Sequence, residues 1–194
     1  GVNLGMHSDC IVRDLTSDTR RPGVIYAGTD LGLYRSEDGG VHWRLEDTRM
    51  NGRVVWALAI DPTDPDIMFA GTGTPSRPGV FRSTDGGKAW DPCAVEIAET
   101  CPNVGVPRVT GIAIDPSNHR SVWVGIEVDG LRHSADGGET WERVDGAIPN
   151  KDVHNVLVTG AEVAGPQTVF TVVSDDVWTS TDDGTSWRAI GARD

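Results

Sequence analysis

Four aspartates in this chain sit in one local frame, and an aspartate set among hydroxyls and glycines can hold a cation, move a proton or close a turn. Asp38 lies in Ser36-Glu37-Asp38-Gly39-Gly40-Val41-His42-Trp43, and Asp85 in Ser83-Thr84-Asp85-Gly86-Gly87-Lys88-Ala89-Trp90. Asp136 lies in Ser134-Ala135-Asp136-Gly137-Gly138-Glu139-Thr140-Trp141, and Asp182 in Ser180-Thr181-Asp182-Asp183-Gly184-Thr185-Ser186-Trp187. The serines fall 47, 51 and 46 residues apart. Glycine permits the positive φ that a tight turn between strands needs. The carboxylate, helped by the serine hydroxyl, is suited to accept the turn's own N–H groups, and the tryptophan to cover the hairpin. In the last copy Asp183 stands for the first glycine, and aspartate tolerates left-handed backbone. The four frames therefore read as staples of structure rather than as catalytic or metal sites.

Other chemistry is sparse. The five histidines (7, 42, 119, 133, 154) show no metal spacing, and no His-Glu-x-x-His occurs. Asp61, Asp64 and Asp66 cluster, but prolines separate them and nothing completes a calcium loop. No phosphate-binding glycine loop is present, and nothing points to a Ser-His-Asp triad. No cofactor and no metal is implied.

The elements that carry the frames repeat as well. Short apolar runs precede each serine (Leu33, Val80, Leu131, Val177), with further runs upstream at Val24 to Gly28, Ile67 to Gly71, Val122 to Ile126 and Thr168 to Val173. Earlier still come Val54 to Ile60, Val109 to Ile114 and Val153 to Val158, with only a weak counterpart at Cys10 to Leu15. Val, Ile, Thr and aromatics fill the runs, and Gly, Pro, Asp and Asn the gaps, which predicts strands. A fourth short strand is expected to begin at each frame tryptophan. Four antiparallel strands recurring every 40–50 residues is the pattern of β-propeller blades. The expected fold is all-β, a single region over 1–194 with blades at 10–47, 53–92, 108–146 and 152–191 and an insertion at 91–107. Only Ala94 to Thr100 offers a helical turn.

Composition excludes several classes. Of 194 residues, 17 are Lys or Arg and 29 Asp or Glu, a net charge of −12 that argues against nucleic acid or an anionic membrane as partner. The longest apolar run, Val54 to Ile60, is far below the roughly 20 residues of a membrane span. No charged-then-apolar leader opens the sequence as given.

The frames resemble Asp-boxes, the bacterial neuraminidase repeats (Ser-x-Asp-x-Gly-x-x-Trp), and the resemblance covers nearly the whole chain. Similar repeats occur in sialidases, sortilin-type receptors, some glucan hydrolases and photosystem II assembly factors, all β-propellers. The wording around Val80 to Trp90 is most like the non-catalytic repeat proteins. In such proteins the boxes lie on the face opposite the active site. The sialidase set is not matched: Arg20-Arg21-Pro22 departs from Arg-Ile-Pro, and Tyr26 and Tyr34 align with core positions, so no nucleophile is assigned.

Recognition is then expected on the opposite rim. Its loops carry Asp30, Arg77, Glu127, Asp129, Asp175 and Asp176, and the connectors carry Arg53 and Arg108. Counting back from Asp61 and Asp115 places Trp56, Thr110 and His154 at one equivalent position of the first strands, which line a propeller's channel. Arg53, Trp56, Arg77, Arg108, Asp129, His154 and Asp175 are the expected ligand-binding residues, for a protein or glycan. Cys93 and Cys101, eight apart in the insertion, are expected to form a disulfide, which implies a secreted, periplasmic or cell-surface protein. Cys10 is left over. Four blades are few, which leaves a small closed ring, a piece of a larger ring, or arcs that associate with a partner or themselves. The expected role is a non-catalytic binding or assembly scaffold. The alternative is a sialidase-like glycoside hydrolase module with catalytic residues partly outside this chain, for which Asp30, Glu127, Asp129 and Asp175 are the carboxylates to test.

Overall fold

The computed structural model describes residues 5–7, 9–102, 104–160, 167–174 and 176–190. The described residues form four sheets, each four-stranded and antiparallel. The first holds β1 (Val12–Ser17), β2 (Ile25–Thr29), β3 (Gly32–Ser36) and β4 (Arg44–Leu45). The second holds β5 (Val54–Ile60), β6 (Met68–Gly73), β7 (Gly79–Ser83) and β8 (Asp91–Pro92). The third holds β9 (Val109–Asp115), β10 (Asn118–Ile126), β11 (Gly130–Ser134) and β12 (Glu142–Arg143). The fourth holds β13 (Val153–Thr159), β14 (Thr168–Val173), β15 (Asp176–Ser180) and β16 (Arg188–Ile190). Within each sheet spatial order follows chain order, so these are the four blades of a β-propeller. Each fourth strand starts just after its frame tryptophan.

Three apolar clusters hold the blades together, one per junction. The first joins Tyr26 and Leu33 to Val55 and Phe81, the second Phe69 and Val80 to Val109 and Ile114, the third Trp123 and Leu131 to Val153 and Val169. Four blades in a closed ring would have a fourth junction. Instead β1 touches β5, β5 touches β9 and β9 touches β13, with no contact of that extent from β13 back to β1 among the described residues.

The junctions repeat in detail. A Cβ added at Gly28 would lie 2.9 Å from Val55 Cγ1, one at Gly71 2.3 Å from Val109 Cγ1, and one at Gly125 2.6 Å from Val153 Cγ1. Each blade thus lacks a side chain where the next blade's first strand presses a valine against it. The second frame glycine is a socket of the same kind: Gly87, Gly138 and Gly184 receive Tyr26, Phe69 and Trp123 from the blade before.

Inside each frame the turn satisfies itself. The serine hydroxyl donates to the aspartate at 2.8–2.9 Å and accepts the second glycine's N–H at 2.8–2.9 Å. The aspartate then accepts an N–H four residues on, from His42, Ala89, Thr140 or Ser186. Trp43, Trp90 and Trp141 donate their indole N–H to Gly40, Gly87 and Gly138, whereas Trp187 reaches across to the Val144 carbonyl of the preceding blade. These bonds hold the Asp38 carboxyl at about 2, chiefly through the His42 N–H, and Asp136 still lower, chiefly through the Thr140 hydroxyl.

Two expectations fail. Cys93 and Cys101 are not bonded; all three cysteines are free. Cys93 extends β8, giving its N–H to Val80 at 2.8 Å and packing into the second cluster, while Cys101 closes a tight turn with Gly105 and lies against the Val128 carbonyl. Residues near in sequence are thereby committed to different neighbours. No helical turn forms over 94–100.

Candidate functional site

The antiparallel order puts the frame turns and the β1–β2, β5–β6 and β9–β10 turns at one end: Gly39, Gly86 and Gly137 donate to Gly23, Asp66 and Arg120. The second-to-third strand loops and the inter-blade connectors therefore share the other end.

At that end every first strand carries an irregularity at the same place. The β1–β2 register skips Arg13, β5–β6 skips Trp56, β9–β10 skips Thr110 and β13–β14 skips His154. A bulge leaves one residue unpaired and re-aims its side chain, and bulges concentrate at rims and beside active sites. Counting back from the Asp-Pro turns located three of these four positions. Arg13 was missed because β1 is polar and lacks that marker.

Two of the bulged residues, Arg13 and Trp56, meet across the junction of blades one and two. Arg13 places its guanidinium carbon 4.4 Å from the centre of the Trp56 ring, and Arg108 places its own at 4.8 Å. The indole N–H donates to the Thr74 carbonyl at 3.1 Å, which fixes the ring. Arg108 is ion-paired with Glu127 through Nε. Thr110 donates to the Val153 carbonyl at 2.7 Å, and His154 Nε2 lies 3.4 Å from Asp152. Below Arg13, Asp14 accepts the Leu58 N–H at 2.7 Å, and burial pushes its carboxyl above the usual range.

Arg53 and Arg77 fall in a neighbouring cleft of about 560 Å³, walled by Phe81, Val95, Ile97 and Glu99. Arg53 lies over Phe81 and donates to the Arg77 carbonyl, and Arg77 faces Glu99 at 3.6 Å. Asp129 is elsewhere and buried. It pairs with Arg132 at 2.9 Å and Arg143 at 3.3 Å and accepts the Ala98 N–H, so it pins the insertion to blade three. Asp30 is half-buried at the β2–β3 loop; one oxygen accepts the Ile11 N–H at 2.8 Å, and it has no ion pair among the described residues. Asp175 lies outside the described residues. No group of three metal-ligating side chains occurs among the described residues, and no helix there is long and apolar enough to cross a membrane.

No protein-family model matches the chain. It is 28% identical over 206 residues to a xyloglucanase of a Paenibacillus species, covering 86% of this chain and 20% of that protein. It is 25% identical over 215 residues to xyloglucanase Xgh74A of Acetivibrio thermocellus, covering 87% of this chain and 25% of that one. The chain thus spans a fifth to a quarter of the length of these relatives. In structure it resembles the GH74 xyloglucanase from Xanthomonas campestris, with a TM-score of 0.76 at 20% identity, covering 99% of this chain and 32% of that one. Such structural likeness establishes the propeller fold. The expectation of a non-catalytic scaffold is overturned by the sequence relatives: proteins named xyloglucanases match 86% and 87% of this chain.

Proposed function

We propose that the chain is a module of a glycoside hydrolase acting on xyloglucan, with part of its catalytic cleft supplied from outside these 194 residues. The observation that carries this reading is the match of some 86% of the chain to xyloglucanases. The row of bulged side chains supports placing substrate at the rim away from the frame turns, which we assign to the Asp-box type. Arg13 and Arg108, stacked on the Trp56 ring, can donate their remaining N–H groups to sugar hydroxyls.

Glycoside hydrolysis takes two carboxyl groups, about 6.5–9.5 Å apart when the configuration inverts and about 5–5.5 Å when it is retained. Asp30 is the rim carboxylate best suited to be one of them. The Ile11 N–H holds one oxygen, the Cys10 thiol is hydrogen-bonded to the carboxylate, and no cation is paired with it among the described residues. Glu127 is ion-paired with Arg108 and Asp129 with two arginines, so neither is a carboxylate without a cationic partner, as Asp30 is among the described residues. The second carboxylate belongs to the part outside the chain. A substrate too large to enter a cell intact puts the site of action outside the cytoplasm.

The test is release of reducing ends from xyloglucan by a protein that joins this chain to the part completing the cleft, and by its Asp30→Asn form. The substitution should lower kcat about 10²–10⁴-fold with little change in KM, the span of a lost general acid or base. Hydrolysis by Asp30→Asn at the unaltered rate would remove the residue from the mechanism. No hydrolysis of xyloglucan by that completed protein would remove the reading.

A further inference from the structure

One buried histidine stands where the blades before it carry permanent cations. The residue preceding each frame serine pairs across the sheet with the aromatic that enters the next blade: Arg35 with Tyr26, Arg82 with Phe69, and His133 with Trp123. Arg35 and Arg82 reach carboxylates, Glu37 at 2.9 Å and Glu139 at 2.8 Å. His133 is buried and lies flat on the Trp123 ring, with the centroids 4.1 Å apart. Trp123 in turn packs on Gly184 and meets Trp187 edge to face, so the imidazole backs the aromatic that joins blade three to blade four.

The hydrogen bonds around it fix where its proton sits. Ser121 Oγ, also buried, lies 3.0 Å from His133 Nε2 and accepts the Trp123 indole N–H at 3.2 Å and the Gln167 amide N–H at 3.4 Å. Those two donors take both lone pairs of the hydroxyl, so the O–H points to Nε2 and the ring carries its own proton on Nδ1. Nδ1 has no hydrogen-bond partner, and Glu142 Oε1 lies 3.6 Å away. Serine, histidine and carboxylate stand here in the order of a hydrolase triad, but a buried hydroxyl with both lone pairs engaged is no nucleophile.

We infer that His133 is a proton-operated latch on the junction of blades three and four, closed while the ring is neutral and released in acid. A proton arriving at Nε2 turns it from acceptor to donor and sets three N–H groups against one oxygen. The longest bond gives way, that of Gln167, and it is the one that reaches over from blade four. Among the described residues the ring faces Glu142 of β12 and Asp183 of the fourth frame, and both favour its charged form. Burial opposes that form more strongly and holds the imidazole below its ordinary value of 6.5. The stability it contributes is therefore complete above about pH 6.5 and is lost as pH falls toward the lower folded value. Arg35 and Arg82 keep their charge throughout this range, so the first two junctions have no such latch.

Two-bond proton–nitrogen spectra of the unaltered protein at about pH 7.5 should show the His133 ring, identified by its contact with Trp123, protonated on Nδ1. A proton on Nε2 at that pH would overturn the inference. The urea midpoint should fall between about pH 7.5 and about pH 5.5, and His133→Gln should remove most of that fall. Ser121→Ala takes away the O–H that occupies Nε2, so His133 should titrate at higher pH in that variant. A midpoint that falls equally with and without His133, or a His133 titration unmoved by Ser121→Ala, would also overturn it. The carboxyl of Asp14, which burial raises, is common to all three proteins and cancels in the comparison.

Discussion

Gly71→Ala tests whether the missing side chain between blades two and three is a packing requirement. The new methyl would lie 2.3 Å from Val109 Cγ1 and 2.6 Å from its Cβ, where carbon atoms normally keep about 3.5–4.0 Å. The Cβ of Val109 is fixed to β9, so no rotamer relieves the second contact and the blades must separate. Overpacking of this kind costs about 1–3 kcal/mol, and a clash with two atoms belongs at the upper end. The φ of Gly71 is not positive, so alanine also gains about 0.4–1 kcal/mol by restricting the unfolded chain. The net loss is about 2 kcal/mol, or about 4–8 °C in Tm for a chain of this size. Urea denaturation measures it, with Gly146→Ala as control, because a Cβ there meets nothing within 4 Å. Val109→Ala removes the Cγ1 contact but keeps the Cβ at 2.6 Å and costs burial by itself, so in combination with Gly71→Ala it should relieve part of the clash and show a coupling of about 0.5–1 kcal/mol. Equal urea midpoints for Gly71→Ala and Gly146→Ala would refute the junction argument.

Asp129→Ala strands the buried Arg132 guanidinium and should destabilise by about 3–5 kcal/mol in urea melts; Arg132→Met in the same chain should recover much of that. The carboxyls of Asp38 and Asp136 are lower in the folded protein than the ordinary value of about 3.9, so the stability they contribute is complete above about pH 4. It is lost as pH falls toward about 2, and Asp136→Asn should flatten that acid limb of the stability curve. Intact mass should not change on reduction, and alkylation after unfolding should add three adducts. Cys93 should react slowest in the native state, since burial raises its thiol to about 11.

What could be read from the sequence was what is local and repeated. Each frame makes its own hydrogen bonds within eight residues, so Ser83 to Trp90 describes its own turn. Trp56, Thr110 and His154 aligned because an Asp-Pro or an apolar run marked the register; Arg13 did not, since Val12–Ser17 has neither. What stayed hidden depended on packing between distant segments. Asp129 resembled a rim carboxylate until Arg132, Arg143 and the Ala98 N–H surrounded it. The cysteine pair failed for the same reason, because spacing says nothing about which neighbours each thiol faces. The glycines opposite Val55, Val109 and Val153 looked like ordinary strand glycines, and their purpose depends on the next blade.

The unpaired residue in each innermost strand has a consequence for how such a protein can change. Arg13, Trp56, Thr110 and His154 stand outside the ladder, and no strand partner depends on their identity. A cation, an indole, a hydroxyl and an imidazole already occupy one geometric slot on four similar supports. The chemistry of that rim can therefore be changed one position at a time while the surrounding scaffold stays as it is.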